Sequence, residues 1–469
     1  MRFLGSFFER VSVPMVAASL ASGACSSGSA GSPVADASPG RDASVDHYAP
    51  PLDAHSDVLL LRDSGATDAT DASFGDSSTC HATPGAADRA RKVVISHPYD
   101  KSQNASGDFE VWDLSQAGTL SQPKVHFTLG PTTLGMIAFT PDGSVGLVAE
   151  DDGTLGVFRF DASGTPVVVS ASLKGSYYAT GVVMDPGGAR AYVLDDQTVD
   201  NGGGIYTVAI ACDGTLMDEG LLVPADLPAG VLPLSGGDAV VLAKNLRGVP
   251  ALMDGSVAIA DAGYDAWPFD AGPEAGPPPG HGNDAVLVSW PAANKVSGFA
   301  DPFGDDLAIV STGALTQDGR YALLGDNSQF SGVPNRVGIV RVTATGIAAA
   351  GIVQNVNDPE TLLASPFDDT VLVTSAFGNA LFVIGATGDA GVPFAMQSPL
   401  AYAGAAPQLP GPAVMISRGG LTGRVLVAEN QAIRQVQFAQ HGSVTDLGPT
   451  VTGNVNDFTS IVGAIGVEP

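Results

Sequence analysis

A short unit returns seven times along this chain, and that repetition limits the fold more than any single residue does. Its clearest copy runs from Ile137 to Asp161, IAFTPDGSVGLVAEDDGTLGVFRFD: an apolar strand, a Pro-Asp-Gly turn, a second strand, an acidic glycine-containing turn and a third strand. The second strand of each unit reads KVVISH (from 92), VGLVAE (145), RAYVLD (190), AVVLAK (239), YALLGD (321), TVLVTS (370) and RVLVAE (424). The third reads FEVWDL (109), GVFRFD (156), IYTVAI (205), VLVSWP (286), GIVRVT (338), LFVIGA (381) and IRQVQF (433). Short runs of Val, Ile, Leu, Tyr and Phe bounded by turn residues are the signature of strands.

Successive third strands lie 47, 49, 81, 52, 43 and 52 residues apart. Apart from the one long interval, this is the roughly 40–50-residue period of propeller blades. The turns agree. Pro141-Asp142-Gly143, Asp185-Pro186-Gly187-Gly188, Ser235-Gly236-Gly237, Gln317-Asp318-Gly319 and Thr422-Gly423 each precede a second strand. Glycine supplies the positive φ of a tight hairpin, and Asp bonds its own backbone there. First strands are read at LGMIAF (134), TGVVM (180), GVLPL (230), PETLLAS (359) and PAVMIS (412). The first unit lacks one, and an unassigned apolar run, Phe458 to Ile465, stands at the other end of the chain. The expectation is an all-β, seven-bladed β-propeller over 91–469, closed by that C-terminal strand so that no sheet edge is left open.

The units TPDGSVGLVAEDDGTLGVFRFD, GGARAYVLDD and DDTVLVTSAFGNALFVIG resemble the YVTN-type repeats of lactonase-like seven-bladed propellers, and Trp112-Asp113 echoes the WD40 dipeptide once. The resemblance covers about Lys92 to Ile465. It implies architecture rather than activity, because such propellers include lactonases, dehydrogenase subunits, surface-layer proteins and binding scaffolds. No segment matches a lactonase active site residue by residue, so no catalytic role is carried over.

Before the repeats the chain changes character. Residues 1–24 carry Arg2 and Arg10, the apolar run Val11 to Ala21 and small residues before Cys25, which reads as an export signal. The run is too short to span a bilayer. Cys25 after small residues resembles the lipobox of bacterial lipoproteins, although Ser22 stands where Leu is usual. Lipidation at Cys25 is expected, with plain secretion as the alternative. Residues 25–90 are rich in Asp, Ala, Ser and Gly, too poor in apolar surface to offset chain entropy, and read as a disordered tether. The expected location is the cell envelope, at the outer membrane, facing the periplasm or the cell surface. Cys80 and Cys212 are then the two remaining thiols, a candidate disulfide in an exported chain.

With 49 acidic against 21 basic residues and a net charge of −28, nucleic acid is excluded as a partner and membrane contact is limited to the lipid anchor. HExxH, G-x-S-x-G, P-loop and dinucleotide fingerprints are all missing from the sequence. Two places could still carry function. The long interval puts an insertion, 245–283, between the second and third strands of blade four, with Tyr264, Trp267, Phe269 and His281 in a Pro-stiffened run. It reads either as a partner-binding loop or as solvated low-complexity sequence. The residues closing the second strands, His97, Glu150, Asp195, Lys244, Asp326, Ser375 and Glu429, fall at one face, several beside a second polar residue (Asp151, Asp196, Asn327, Asn430). Glu150, Asp195, Asp326 and Glu429, with His97, are candidate catalytic groups, and the four carboxylates are candidate ligands for calcium or another divalent cation. The competing reading is that polar residues merely end strands and bond nearby backbone. The leading expectation is a monomeric, non-catalytic binding or scaffold module that needs no cofactor and takes a protein or carbohydrate. The alternative is a lactonase-like hydrolase with an acidic, metal-binding mouth.

Overall fold

The computed structural model describes residues 80–469 except 100–103, 122–124, 133–134, 151–152, 170–177, 197–202, 247–283, 292–295, 305–307, 328–335, 390, 398 and 452–461. Residues from Asp71 onward form one compact unit. Among the described residues there are 27 strands, all paired antiparallel. Five sheets have four strands and one has seven. The seven-stranded sheet is two units joined by one long strand, Leu216–Pro233. Its first half pairs with Gly204–Ile210 and its second half with Asp238–Leu246. The result is a propeller-like series of seven four-stranded units, each meandering from a first strand to a fourth.

Every second and third strand read in the sequence is present. Within these strands nearly every side chain is buried, as in Val145–Ala149 and Val371–Ser375, so hydrophobicity alone marks them. Fourth strands, such as Val125–Thr128 and Pro166–Val169, are short and half-exposed, and they carry no such signal. The first strand of unit five, Val310–Leu315, reads VSTGAL and is too polar and too rich in small residues to stand out. Of the expected closing run Phe458 to Ile465, residues 458–461 lie outside the described residues; the C-terminal strand is Ile465–Val467, which pairs antiparallel with Arg91–Tyr99 in unit one.

The core is divided among the joints between units. Seven buried apolar clusters each join one unit to the next, for example Tyr192, Ile205, Val241 and Val286 between units three and four. Another, with Val93, Trp112, Ile416, Leu426 and Ile465, joins unit seven to unit one. Such burial contributes about 25 cal/mol per Å² of apolar area. The Tyr192 hydroxyl in the first of these is pushed up to about 12, by burial first and then by the charge of Asp185.

Residues 80–90 are not part of a loose tether. Cys80 is joined to Cys212 with Cα atoms 5.4 Å apart, well inside the reach of a disulfide. His81 is 3% exposed; its ring nitrogens lie 3.0 Å from Asp142 Oδ2 and 3.0 Å from the Ala211 carbonyl. Burial works against ionising Asp142, but donors from Thr140, Ser144 and His81 hold its carboxyl below the usual range. Asp88 accepts the Gly420 N–H, Arg89 pairs with Glu468, and Arg91 donates to the Ala87 and Arg418 carbonyls. This segment therefore straps the hairpin turns of units three, two, one and seven. Gly419, at φ 75°, has no room for a Cβ, which would sit 2.2 Å from the Ala87 carbonyl oxygen.

Candidate functional site

The second strands all end at the same edge of their units, and there the expected carboxylates are found buried and occupied. Glu150 Oε1 accepts the Gly130 N–H at 2.7 Å, and Oε2 accepts the Thr154 hydroxyl at 2.7 Å. Asp195 is fully buried and accepts the Tyr178 N–H at 2.8 Å. Asp326, also fully buried, accepts the Ile309 N–H at 3.1 Å and takes Arg336 Nε at 2.8 Å. Tyr178 and Ile309 each stand immediately before the first strand of their own unit. In units three and five one carboxylate therefore fastens the incoming chain to the end of the second strand. A carboxylate satisfied by buried backbone N–H groups is structurally committed.

Unit seven elaborates the device. Glu429 bonds the Arg434 guanidinium, which also bonds Asp446 Oδ2 at 2.6 Å and the Ala405 carbonyl at 2.7 Å and lies over the Tyr402 ring. Burial raises the Glu429 carboxyl above its ordinary value, opposed by Arg434. Unit one reverses the polarity: His97 closes the strand and the acid stands on the third strand. His97 Nε2 is 3.3 Å from Glu110 Oε2, which also accepts the Trp112 indole N–H at 3.0 Å, while His126 lies 3.9 Å from Oε1. Lys244 stands two residues before the end of the unit-four strand Asp238–Leu246 and is partly buried.

The four carboxylates and His97 are thus not gathered at one point. Among the described residues no group of three or more His, Cys, Asp or Glu is placed to hold a metal ion. Asp196 is pushed up to about 6, by burial first and by the charges of Asp195 and Asp226. Asp151, Cys25, Tyr264, Trp267, Phe269 and His281 lie outside the described residues.

Unit six departs from the pattern. Ser375 closes its second strand, so the carboxylate is supplied from the other side: Asp358, immediately before the first strand, accepts the Phe377 N–H at 2.8 Å. Two residues on, Glu360 occupies a bulge, skipped in the register between Pro359↔Ser375 and Thr361↔Thr374. Thr180 and Ser311 occupy the same bulge in units three and five. Bulges of this kind re-aim a side chain. First strands of successive units pack against one another. Among the described residues, Asp226 and Glu360 are the only charged side chains on them. Glu360 makes no hydrogen bond or ion pair among the described residues. Its carboxyl is pushed up to about 8, by burial and then by Asp358. In the sequence it lies inside the run PETLLAS, whose apolar residues mark a strand and give no sign of a site.

No protein-family model matches the chain, and no curated protein matches it in sequence. Solved structures do match in fold. The periplasmic gluconolactonase of Pseudomonas aeruginosa superposes with a TM-score of 0.54 at 12% identity, over 81% of this chain and 99% of that one. A putative 6-phosphogluconolactonase from Bacteroides fragilis gives 0.52 at 12% identity, over 82% and 99%. A protein from Lactobacillus plantarum gives 0.53 at 12% identity, over 81% and 99%. The fold is that of lactonase-like β-propellers.

Proposed function

We propose that this chain is a non-catalytic binding or scaffold module of the cell envelope, built on a seven-bladed propeller that its C-terminal strand closes. The observation that carries the reading is the commitment of Glu150, Asp195, Asp326 and Glu429, the four carboxylates that the sequence offers as catalytic groups, to backbone N–H groups and arginines. Pairing of Ile465–Val467 with unit one, and the apolar cluster between units seven and one, support closure of the ring. The repeats are read as YVTN-type. Residues 1–24 are read as an export signal, Cys25 as the lipidated anchor, and the chain up to about residue 79 as the tether, so the propeller works as a monomer off a membrane surface and takes a protein or carbohydrate. It requires no cofactor; a bound divalent cation remains part of the alternative.

That alternative is a lactonase-like hydrolase, and the fold likeness to a gluconolactonase over nearly its whole length is what favours it. Hydrolysis of glucono-δ-lactone by the purified protein separates the two. The binding-module reading expects the rate of buffer alone. Turnover above buffer that falls with Asp195→Asn or Glu429→Gln would establish the hydrolase instead.

A further inference from the structure

We propose that the Cys80–Cys212 disulfide is a thiol-operated latch. A dithiol that reduces it frees segment 80–90 and loosens the pairing of the C-terminal strand with unit one, while the rest of the propeller stays folded. Such a latch operates whether the loop face binds a partner or hydrolyses a lactone.

Segment 80–90 is held by one covalent bond and a few polar contacts, with little apolar burial to back them. Within it only His81 is buried; Ala82, Pro84, Ala86, Ala87 and Ala90 are half-buried or exposed. His81 follows Cys80 directly and is seated between the turns of units two and three. It meets Asp142 and the Ala211 carbonyl, and its backbone packs on Gly188, where a Cβ would stand 2.9 Å from the His81 carbonyl oxygen. Whether His81 keeps that seat is therefore coupled to the disulfide through a single residue. At the other end Arg89 bonds Glu468 Oε2 at 3.0 Å, and the same oxygen accepts the Lys92 N–H at 2.9 Å. Glu468 directly follows Ile465–Val467, which pairs with unit one through three residue pairs. A pairing this short opens easily unless its flanks are held. The segment thus ties the turn that carries Cys212 to the junction of units seven and one.

The bond sits where a thiol reaches it and where its loss spares the core. Cys212 is exposed on the turn that follows strand Gly204–Ile210. Neither cysteine belongs to any of the seven apolar clusters between units. Exposed disulfides are the labile class, and they exchange with thiolates through a mixed disulfide. One thiolate of the reductant attacks the Cys212 sulfur, breaking the bond to Cys80, which leaves as a thiolate and takes up a proton. The second thiol of the reductant, losing its own proton, then displaces Cys212, which is protonated in turn. Two electrons pass to the protein, and the reductant departs as its own disulfide. Once free, Cys80 is tied to Cys212 only through 132 residues of chain and the contacts of its neighbour His81.

The test equilibrates the whole protein with mixtures of oxidised and reduced dithiothreitol at neutral pH. Alkylation and mass spectrometry report the state of Cys80 and Cys212, and hydrogen exchange is followed in 80–91, in 462–469 and in Val371–Ser375 of unit six. The expected result is that reduction exposes both thiols in the folded protein. Exchange then quickens about tenfold or more in 80–91 and severalfold in 462–469, stays unchanged in Val371–Ser375, and recovers on reoxidation. Cys80→Ser should show the reduced pattern in every mixture. A bond that dithiothreitol leaves intact in the folded protein overturns the proposal, as does reduction that leaves exchange in 462–469 unchanged. Reduction that quickens Val371–Ser375 as much as 80–91 also overturns it, because the bond is then a staple of the whole fold. Should Cys80→Ser fail to fold, the reduced wild type decides alone by the same readings.

Discussion

Units six and seven sit side by side on the same architecture and treat their acidic residues in opposite ways. In unit seven Glu429 and Asp446 close around the buried Arg434, which is further held by a carbonyl and a tyrosine ring. In unit six the second strand ends in Ser375, Asp358 takes over the backbone contact, and Glu360 is left with no basic partner among the described residues. The contrast shows that an acidic residue at the loop face of this propeller is no sign of chemistry by itself. What distinguishes a site is the absence of the tie that its counterparts make.

The comparison can be broken most forcefully in unit seven. Arg434→Ala removes the cation from two buried carboxylates and should cost about 3–5 kcal/mol, read by urea unfolding. A loss below about 1 kcal/mol would mean that the cluster is solvated and the contrast with unit six is empty. A subtler break leaves all charges in place. Gly130→Ala puts a methyl 2.3 Å from Glu150 Oε2, displacing the carboxylate that holds the Gly130 N–H. A cost of about 1–3 kcal/mol is expected, with no change in net charge. The smallest effect is the most specific. Folding holds the Glu360 proton up to about pH 8, whereas an unfolded chain releases it at the ordinary glutamate pKa near 4.3. Between those values the native state binds more protons, so the wild type loses stability as pH rises through the window. Glu360→Gln should remove that slope, leaving stability nearly unchanged near pH 4 and higher at pH 8.

Much of the architecture was legible in the sequence, because second and third strands are buried on both faces and must be apolar throughout. Val371–Ser375 and Arg424–Glu429 needed no structure to be found. Outer strands were not, since Gly346–Gln354 buries little and reads GIAAAGIVQ. The end of the tether was misjudged for a related reason. Residues 80–90 bury few apolar groups, and what fixes them is a disulfide, the His81 contacts and the Asp88, Arg89 and Arg91 bonds, all of them partners distant in sequence. The carboxylates of the loop face were found, but their role was not legible. Whether Asp195 is aimed at a ligand or at the Tyr178 N–H depends on a neighbour 17 residues away. Glu360 was missed altogether, because its distinction is a lack of partners, and partners belong to the fold.

Asp326 and Glu360 offer the most direct trial of that distinction, since each is an acid near the mouth of adjoining units. Thermal unfolding of Asp326→Asn and Glu360→Gln, side by side at pH 8, is the decisive measurement. Neutralising Asp326 leaves Arg336 buried without its counter-charge and should lower the melting temperature, while neutralising Glu360 should raise it. If Glu360→Gln falls as Asp326→Asn does, Glu360 is one more structural tie, and the loop face of unit six is no different from the rest.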